Sequence, residues 1–306
     1  MSIPRKHHFI PVCYLQHWCS SRDGKLYEYA IKHSKFVSKR VGPRSTGFEE
    51  HLYSFPELPA DAAQHLESNF LQLVDSDAAI ALRRHLVMST DPWPRKLRSA
   101  WSRFLISLLI RHPDVMSEFR AAAKSLWSKG GDEVQRNYQK LRKPEDPETF
   151  EEYAATDPLI GVKARLYLLL RAAFDNQLVG NHFNKMKWAV ADVTASPQCL
   201  LTSDRPLVLF NLGEPNGYLF LPISPIKLFV AANTDKTLSE FSKGRPTEVV
   251  KKVNEVIVAR ARRYIYARDD WQRDFIKGTM STKMEPKPLF KDLDRYEPES
   301  TTTSDQ

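Results

Sequence analysis

The sequence predicts an α+β fold, an antiparallel sheet carrying a large helical insertion. Between residues 62 and 175, apolar residues recur at spacings of three and four, the period of an amphipathic helix. After Asn181 the apolar runs become short and β-like: Lys187–Val193, Cys199–Thr202, Leu207–Phe210, Tyr218–Pro222 and Lys227–Ala232. The turns between them, such as Ser196-Pro197 and Asp204-Arg205-Pro206, are only a few residues long. A parallel crossover needs roughly a dozen or more, so the connections favour antiparallel pairing.

Taken in order, residues 1–60 read as an N-terminal segment with strands that join the later sheet. Residues 25–31 alternate in polarity after the turn Asp23-Gly24, and Phe36-Val37 begins a returning strand. Residues 40–60 are rich in Gly and Pro and read as loop. Residues 61–180 form the helical region. Leu66, Phe70, Leu73, Asp77 and Ile80 mark one helix face, and Asp91-Pro92-Trp93-Pro94 breaks that helix. A second helix, about 95–111, carries Leu97, Trp101, Phe104, Leu105 and Leu108 on one side. Pro113 ends or kinks it, and helix resumes over 114–128 and again over about 159–174. Residues 181–270 give the antiparallel sheet with one helix, about 246–262. Residues 271–306 read as an extended or disordered tail, because the last twenty are polar and rich in Pro, Thr and Ser.

Composition removes several classes of protein. The chain has 306 residues, 42% of them hydrophobic, enough for a sizeable core. No apolar run approaches the roughly 18–20 residues of a membrane span, and the N-terminus lacks the apolar stretch of a secretory signal. Three cysteines are too few for a disulfide framework, so a cytoplasmic location is expected. No glycine-rich phosphate loop is present. The 45 Lys and Arg against 37 Asp and Glu leave a charge of +8, which favours an acidic partner, nucleic acid first. A solvated basic surface would give the same balance.

Four groups of polar residues are candidates for chemistry. His7, His8, Cys13, His17 and Cys19 crowd the N-terminus, and Cys13 and His17 are four apart, as on one helix face. Zinc-finger spacings are absent, and a short packed turn built on Tyr14, Leu15 and Trp18 accounts for much of the segment. Asp204 closes the run Leu200-Leu201-Thr202, where it either enters a cleft or caps its own turn. Arg111 continues the apolar stripe of its helix. A buried guanidinium needs a carboxylate, with Glu67 and Asp204 the candidates, or else it snorkels to solvent. Basic residues also cluster in 83–103 and 243–263, without the fingerprint of any nucleic-acid-binding motif.

His7-His8-Phe9-Ile10-Pro11-x-x-Tyr14-Leu15-x-x-Trp18 resembles the opening signature of the mainly bacterial family called domain of unknown function 4238. Arg111-His112-Pro113, Leu201-Thr202-Ser203-Asp204-Arg205-Pro206, Leu221-Pro222-Ile223-Ser224-Pro225 and the Val253-Asn254 helix before Tyr264-Ile265-Tyr266 follow in the family's order. Trp18 stands where the family has Phe. The resemblance implies a soluble bacterial protein and singles out His7, His8, Tyr14, Arg111, Asp204 and Asn254. It brings no activity with it.

Two functions are therefore expected to compete. In the first, the chain is a metal-dependent phosphodiester hydrolase of nuclease type. His7, His8, Asp204 and Glu67 would hold a divalent ion, with His8, Asp204 and Arg111 as the catalytic set. In the second, it is a non-catalytic module binding a ligand or nucleic acid, in which His8, Arg111 and Asp204 form a structural polar network or ligand pocket, with Tyr14, Asn254 and Arg205 as candidate ligand contacts. A role in a bacterial defence or mobile-element locus has no residue that points to it. Both readings place the His7-His8 segment, Arg111 and Asp204 in one cleft.

Overall fold

A computed structural model describes residues 6–53, 71–129, 135–136, 138–140, 142–156, 166, 169–170 and 172–280. Its strands are β1 (Lys6–His8), β2 (Leu26–Lys32), β3 (Lys35–Val41), β4 (Phe48–Glu50), β5 (Lys187–Asp192), β6 (Thr202–Ser203), β7 (Val208–Phe210), β8 (Tyr218–Ser224), β9 (Lys227–Ala232) and β10 (Ile265–Ala267). Its helices are α1 (Val12–Leu15), α2 (Gln72–Leu86), α3 (Arg95–Ile110), α4 (Pro113–Lys129), α5 (Phe150–Thr156), α6 (Gln177–Lys185), α7 (Asp235–Lys243), α8 (Pro246–Arg260) and α9 (Arg273–Thr279). No helix among the described residues is long and apolar enough to cross a membrane.

The fold is α+β, and every strand pairing among the described residues is antiparallel. The strands form two four-stranded sheets, in the orders β3-β2-β10-β6 and β5-β9-β8-β7, and a separate ribbon of β1 with β4. The N-terminal hairpin β2-β3 reaches its sheet through β10, with Tyr29 opposite Ile265. Beyond the end of α6, the stretch 181–270 holds two helices, α7 and α8, instead of the single one expected. Thr234 caps α7 by accepting the Thr237 N–H, and Gly244 follows its end. Only nine residues long, with Leu238 and Phe241 as its apolar residues, α7 is too short for its periodicity to stand out.

Two hydrophobic clusters fill the interior. One joins α2, α3 and α4 to the N-terminal segment and one face of β8 and β9, around Trp18, Trp101, Phe104 and Phe229. The other joins α8 and α9 to β10, Tyr29 and the opposite faces of β8 and β9. The stripe expected on α2 is the wrong face, since Leu73 and Ile80 are exposed, at 64% and 50%. Its buried face is Leu71, Val74, Ala78, Ala81, Leu82 and His85. A helix with apolar residues on two stripes buries the one whose small residues admit a neighbour, here Ala78 and Ala81 against α3.

Tyr14 ties α1 to both sheets. Its hydroxyl donates to the Pro222 carbonyl at 2.6 Å, so the Thr202 hydroxyl, 2.7 Å away, donates to it. Pro222 lies beyond the end of the β7 pairing and beside a bulge at Ser224, where its missing N–H costs no ladder bond. Gly47 supports the same corner. With φ +64°, it turns its carbonyl onto the Phe9 and Ile10 N–H groups, and a Cβ there would stand 3.1 Å from that of Ile10.

His85 occupies an aromatic box. Its ring lies 4.5 Å from Trp93, 4.6 Å from Phe229 and 4.7 Å from Trp101, centre to centre. Burial, reinforced by Arg98 and Arg84, pushes its pKa down to about 3. The unfolded chain, with an ordinary imidazole near 6.5, binds the proton more readily between those values. The His85 contribution to stability is therefore full above about pH 6.5 and is lost as pH falls toward 3. His85→Phe keeps the ring and removes the titration. The pH-dependent part of the wild-type loss, about 2 kcal/mol between about pH 7 and 5, should be absent from the variant's denaturant midpoints.

Candidate functional site

The polar residues expected in one cleft separate into two centres, built on either side of the α3–α4 junction. The first is the Asp204 turn. Ser203 ends β6, and its hydroxyl accepts the Arg205 N–H at 3.1 Å. Asp204 is fully buried. Oδ1 accepts the Arg262 N–H at 3.0 Å, and Oδ2 accepts the Arg263 N–H at 2.6 Å. The imidazole beside it is His112, whose Nε2 lies 3.3 Å from Oδ2.

His112 is also the N-cap of α4. Its carbonyl accepts the Met116 N–H, its Nδ1 accepts the Asp114 N–H at 3.2 Å, and Pro113 fills the first helical position. A nitrogen that accepts carries no proton, so the proton sits on Nε2 and is donated to Asp204. The Asp114 carboxylate is 3.7 Å from Nδ1 but is engaged at 3.0 Å by Arg205. Both ring nitrogens are thus occupied, and Asp204 is saturated by two backbone N–H groups and an imidazole. Chemically the pair is a clamp that locks the start of α4 to the segment after α8.

Above it lies a layer of arginines. Arg205 holds Asp114. Arg263 bonds Glu49 of β4 at 2.8 Å and lies 3.8 Å from Asp114. Arg260 ends α8, and Arg262 precedes Arg263.

The second centre surrounds Arg111. Its side chain is fully buried and forms a two-pronged pair with Asp75 of α2, at 2.9 and 3.2 Å. Nη2 also donates to the Ser107 hydroxyl one turn earlier, at 2.6 Å. Of the two carboxylate partners expected, Asp204 does not pair with it, Asp75 pairing instead, while Glu67 lies outside the described residues. Asp75 falls on the buried stripe with Leu71, Ala78 and Leu82, and an acid on an apolar stripe was the available signal. Cys13 reaches the Asp75 carbonyl at 3.8 Å. Burial, followed by the Asp75 charge, pushes its thiol up to about 12, so it is no thiolate nucleophile at neutral pH.

The histidine pair diverges, as neighbours on a strand must. His7 is buried, stacks on Tyr53 and accepts its N–H at 2.8 Å, and the Tyr53 hydroxyl donates to the Arg111 carbonyl at 2.6 Å. His8 faces Phe48, Arg44 and Asp75. Burial lowers its pKa, a backbone hydrogen bond with Arg44 opposes this, and its Nε2 is buried without a hydrogen-bond partner among the described residues. Asn254 is a backbone clamp. Its amide oxygen accepts the Leu201 N–H at 2.8 Å, and its amide nitrogen donates to the Cys199 carbonyl and to Gln272. Tyr14 is committed to Thr202 and Pro222. Among the described residues, no group of three or more His, Cys, Asp or Glu side chains is placed to hold a metal ion.

The residues that organise the two centres, His112 and Asp75, were not among those expected. No curated protein and no solved structure matches the chain. A family profile does match, across residues 6–270, which hold the Asp204 turn, the His112 cap, the Tyr14 tie and the Asn254 clamp. The chain belongs to the family described as "Protein of unknown function (DUF4238)".

Proposed function

We propose that this chain is a non-catalytic binding module for an anionic ligand, with nucleic acid the first candidate. The observation that carries the reading is the gathering of Arg205, Arg260, Arg262 and Arg263 around one rigid turn. Asp204 fixes the backbone of Arg262 and Arg263, while Asp114 and Glu49 orient Arg205 and Arg263. Guanidinium groups held by a scaffold suit phosphate oxygens, which accept from them in pairs. The net charge of +8 supports the same partner.

A hydrolase built on His8, Asp204 and Arg111 finds less support. Asp204 is filled by three protein donors, Arg111 is held by Asp75 and Ser107, and His8 neighbours Asp75 instead of Asp204. Fluorescence anisotropy with short labelled DNA and RNA tests the binding reading. If about four arginines contact phosphates, affinity for duplex DNA should fall about a hundredfold between 50 and 200 mM salt. Absence of binding at the lower salt would reject it. Cleavage of the same oligonucleotides with added magnesium or manganese, lost in His8→Ala, would restore the hydrolase.

A further inference from the structure

Among the arginines of this layer, Arg260 stands apart. Arg205 and Arg263 have carboxylate partners, on Asp114 and Glu49. Among the described residues, Arg260 forms no ion pair and its side chain makes no hydrogen bond, while its Nε is buried from solvent. The charge that acts on it is another cation, Arg205, whose turn is bonded through Asp204 to the residues just after Arg260. Burial, then that repulsion, lowers its pKa. Arg205 is itself half-withdrawn from water, and its own pKa is lowered by burial first.

A guanidinium partly stripped of water and acted on by a like charge is unfavourable unless something compensates it. Only Nε is enclosed: among the described residues the two terminal nitrogens are neither hydrogen-bonded nor shut off from solvent, so the fork is open to an incoming ligand. The position is also determined. Arg260 follows Val253 and Ile257 on the buried stripe of α8, and the chain after it is pinned by Asp204 through the Arg262 and Arg263 N–H groups. The side chain therefore leaves a rigid helix end beside a rigid turn, which is how a preorganised anion seat is built.

We propose that Arg260 and Arg205 form a seat for a phosphate-type oxyanion, Arg260 supplying a free fork and Arg205 a second guanidinium held in place by Asp114. This deepens the binding reading above and rests on it, by naming the residue and the ligand group. A tetrahedral oxyanion between the two forks would accept from both and remove their repulsion. The phosphate is either a diester in a nucleic-acid backbone or a terminal monoester.

The test is calorimetric titration of the full chain with inorganic phosphate at low ionic strength, with chloride as control, on wild type, Arg260→Gln and Arg260→Lys. Wild type should bind phosphate saturably, Arg260→Gln should bind at least about tenfold more weakly, and Arg260→Lys should lie between. In phosphate-free buffer the melting temperature of Arg260→Gln should equal or exceed that of wild type, because a ligand-holding arginine is uncompensated without its ligand. No saturable binding by wild type, unchanged affinity in Arg260→Gln, or a melting temperature several degrees lower in that variant would each overturn the seat. Oligonucleotides with and without a 5′-phosphate separate the sources. Preference for the phosphorylated end assigns a monoester, and equal binding displaced by inorganic phosphate assigns the backbone. Phosphate bound with neither oligonucleotide bound keeps the seat and rejects nucleic acid as partner. Oligonucleotides bound equally by wild type and Arg260→Gln do the reverse.

Discussion

Asp204→Ala should cost about 4 kcal/mol of folding stability or prevent folding altogether, measured by chemical denaturation. The carboxylate is buried and accepts from three donors: the Arg262 N–H at 3.0 Å, the Arg263 N–H at 2.6 Å and His112 Nε2 at 3.3 Å. Alanine leaves the buried His112 donor and the two half-buried N–H groups without their acceptor, and each orphaned donor costs about 1–3 kcal/mol. Typical domain stabilities of about 5–15 kcal/mol leave little after such a loss. Asp204→Asn should not rescue it. An amide keeps one acceptor oxygen but turns its NH2 toward a second N–H group, so a donor meets a donor. His112→Asn should be milder, about 1–2 kcal/mol, because Asn still caps α4 through the Asp114 N–H and loses only the link to Asp204. A carboxylate with a purely catalytic task would show the opposite pattern, activity lost with stability unchanged. Equal midpoints for wild type and Asp204→Ala would thus return Asp204 to catalysis.

The α+β class was legible because it rests on period and turn length, which are local properties. The apolar face of α3 was legible for the same reason: Trp101, Phe104, Leu105 and Leu108 form one uninterrupted stripe, and all are buried. The stripe of α2 was misread because its sequence supports two faces, and the choice belongs to α3. The same limit governed the site. That Arg111 lies on the apolar stripe of α3 is sequence information, and its burial follows from it. Which acid meets it depends on how α2 is rotated, and the sequence carries no such coordinate. His112 stood in plain view within Arg111-His112-Pro113. A histidine directly before a proline that opens a helix is an N-cap candidate, and Asp114 in the first turn adds to that signal. Its carboxylate partner comes from a turn 92 residues away, and such a pairing is visible only in three dimensions.

The roles of Tyr14 and Asn254 follow the same division. Each is a buried polar residue with no partner within its own element, so sequence alone leaves a ligand contact and a structural bond equally open. Tyr14 spends its hydroxyl on Thr202 and Pro222, from both sheets. Asn254 spends its amide on the extended chain before β6. These bonds hold in register the short strands that frame the Asp204 turn. A two-residue strand such as β6 cannot fix its own position.

Asp75→Ala should cost about 3 kcal/mol, more than the removal of an exposed ion-pair partner would. Surface pairs contribute about 0–1 kcal/mol because water replaces the lost partner. Here the two ends differ. The Asp75 side chain is 28% exposed, but the Arg111 side chain is 1% exposed, so deleting the carboxylate leaves a buried cation to which water has little access. Ser107 softens the loss, since its hydroxyl still accepts from Nη2. Asp75→Asn should recover part of it by offering one neutral acceptor.

The informative variant is the double substitution Asp75→Leu with Arg111→Met, which removes both charges and fills the space with apolar atoms. If the pair is held only for packing and charge balance, the double variant should be more stable than either single one. The coupling energy between the two sites should then reach about 2–3 kcal/mol in a denaturant-based cycle. His8 supplies an internal check, because Asp75 is among the charges that raise its pKa against burial. Its titration, followed by NMR of the ring protons, should move further down when Asp75 is replaced by Ala. An unchanged His8 titration together with additive single-site losses would show that Asp75 faces neither group in solution. The second polar centre would then dissolve into two unrelated ones.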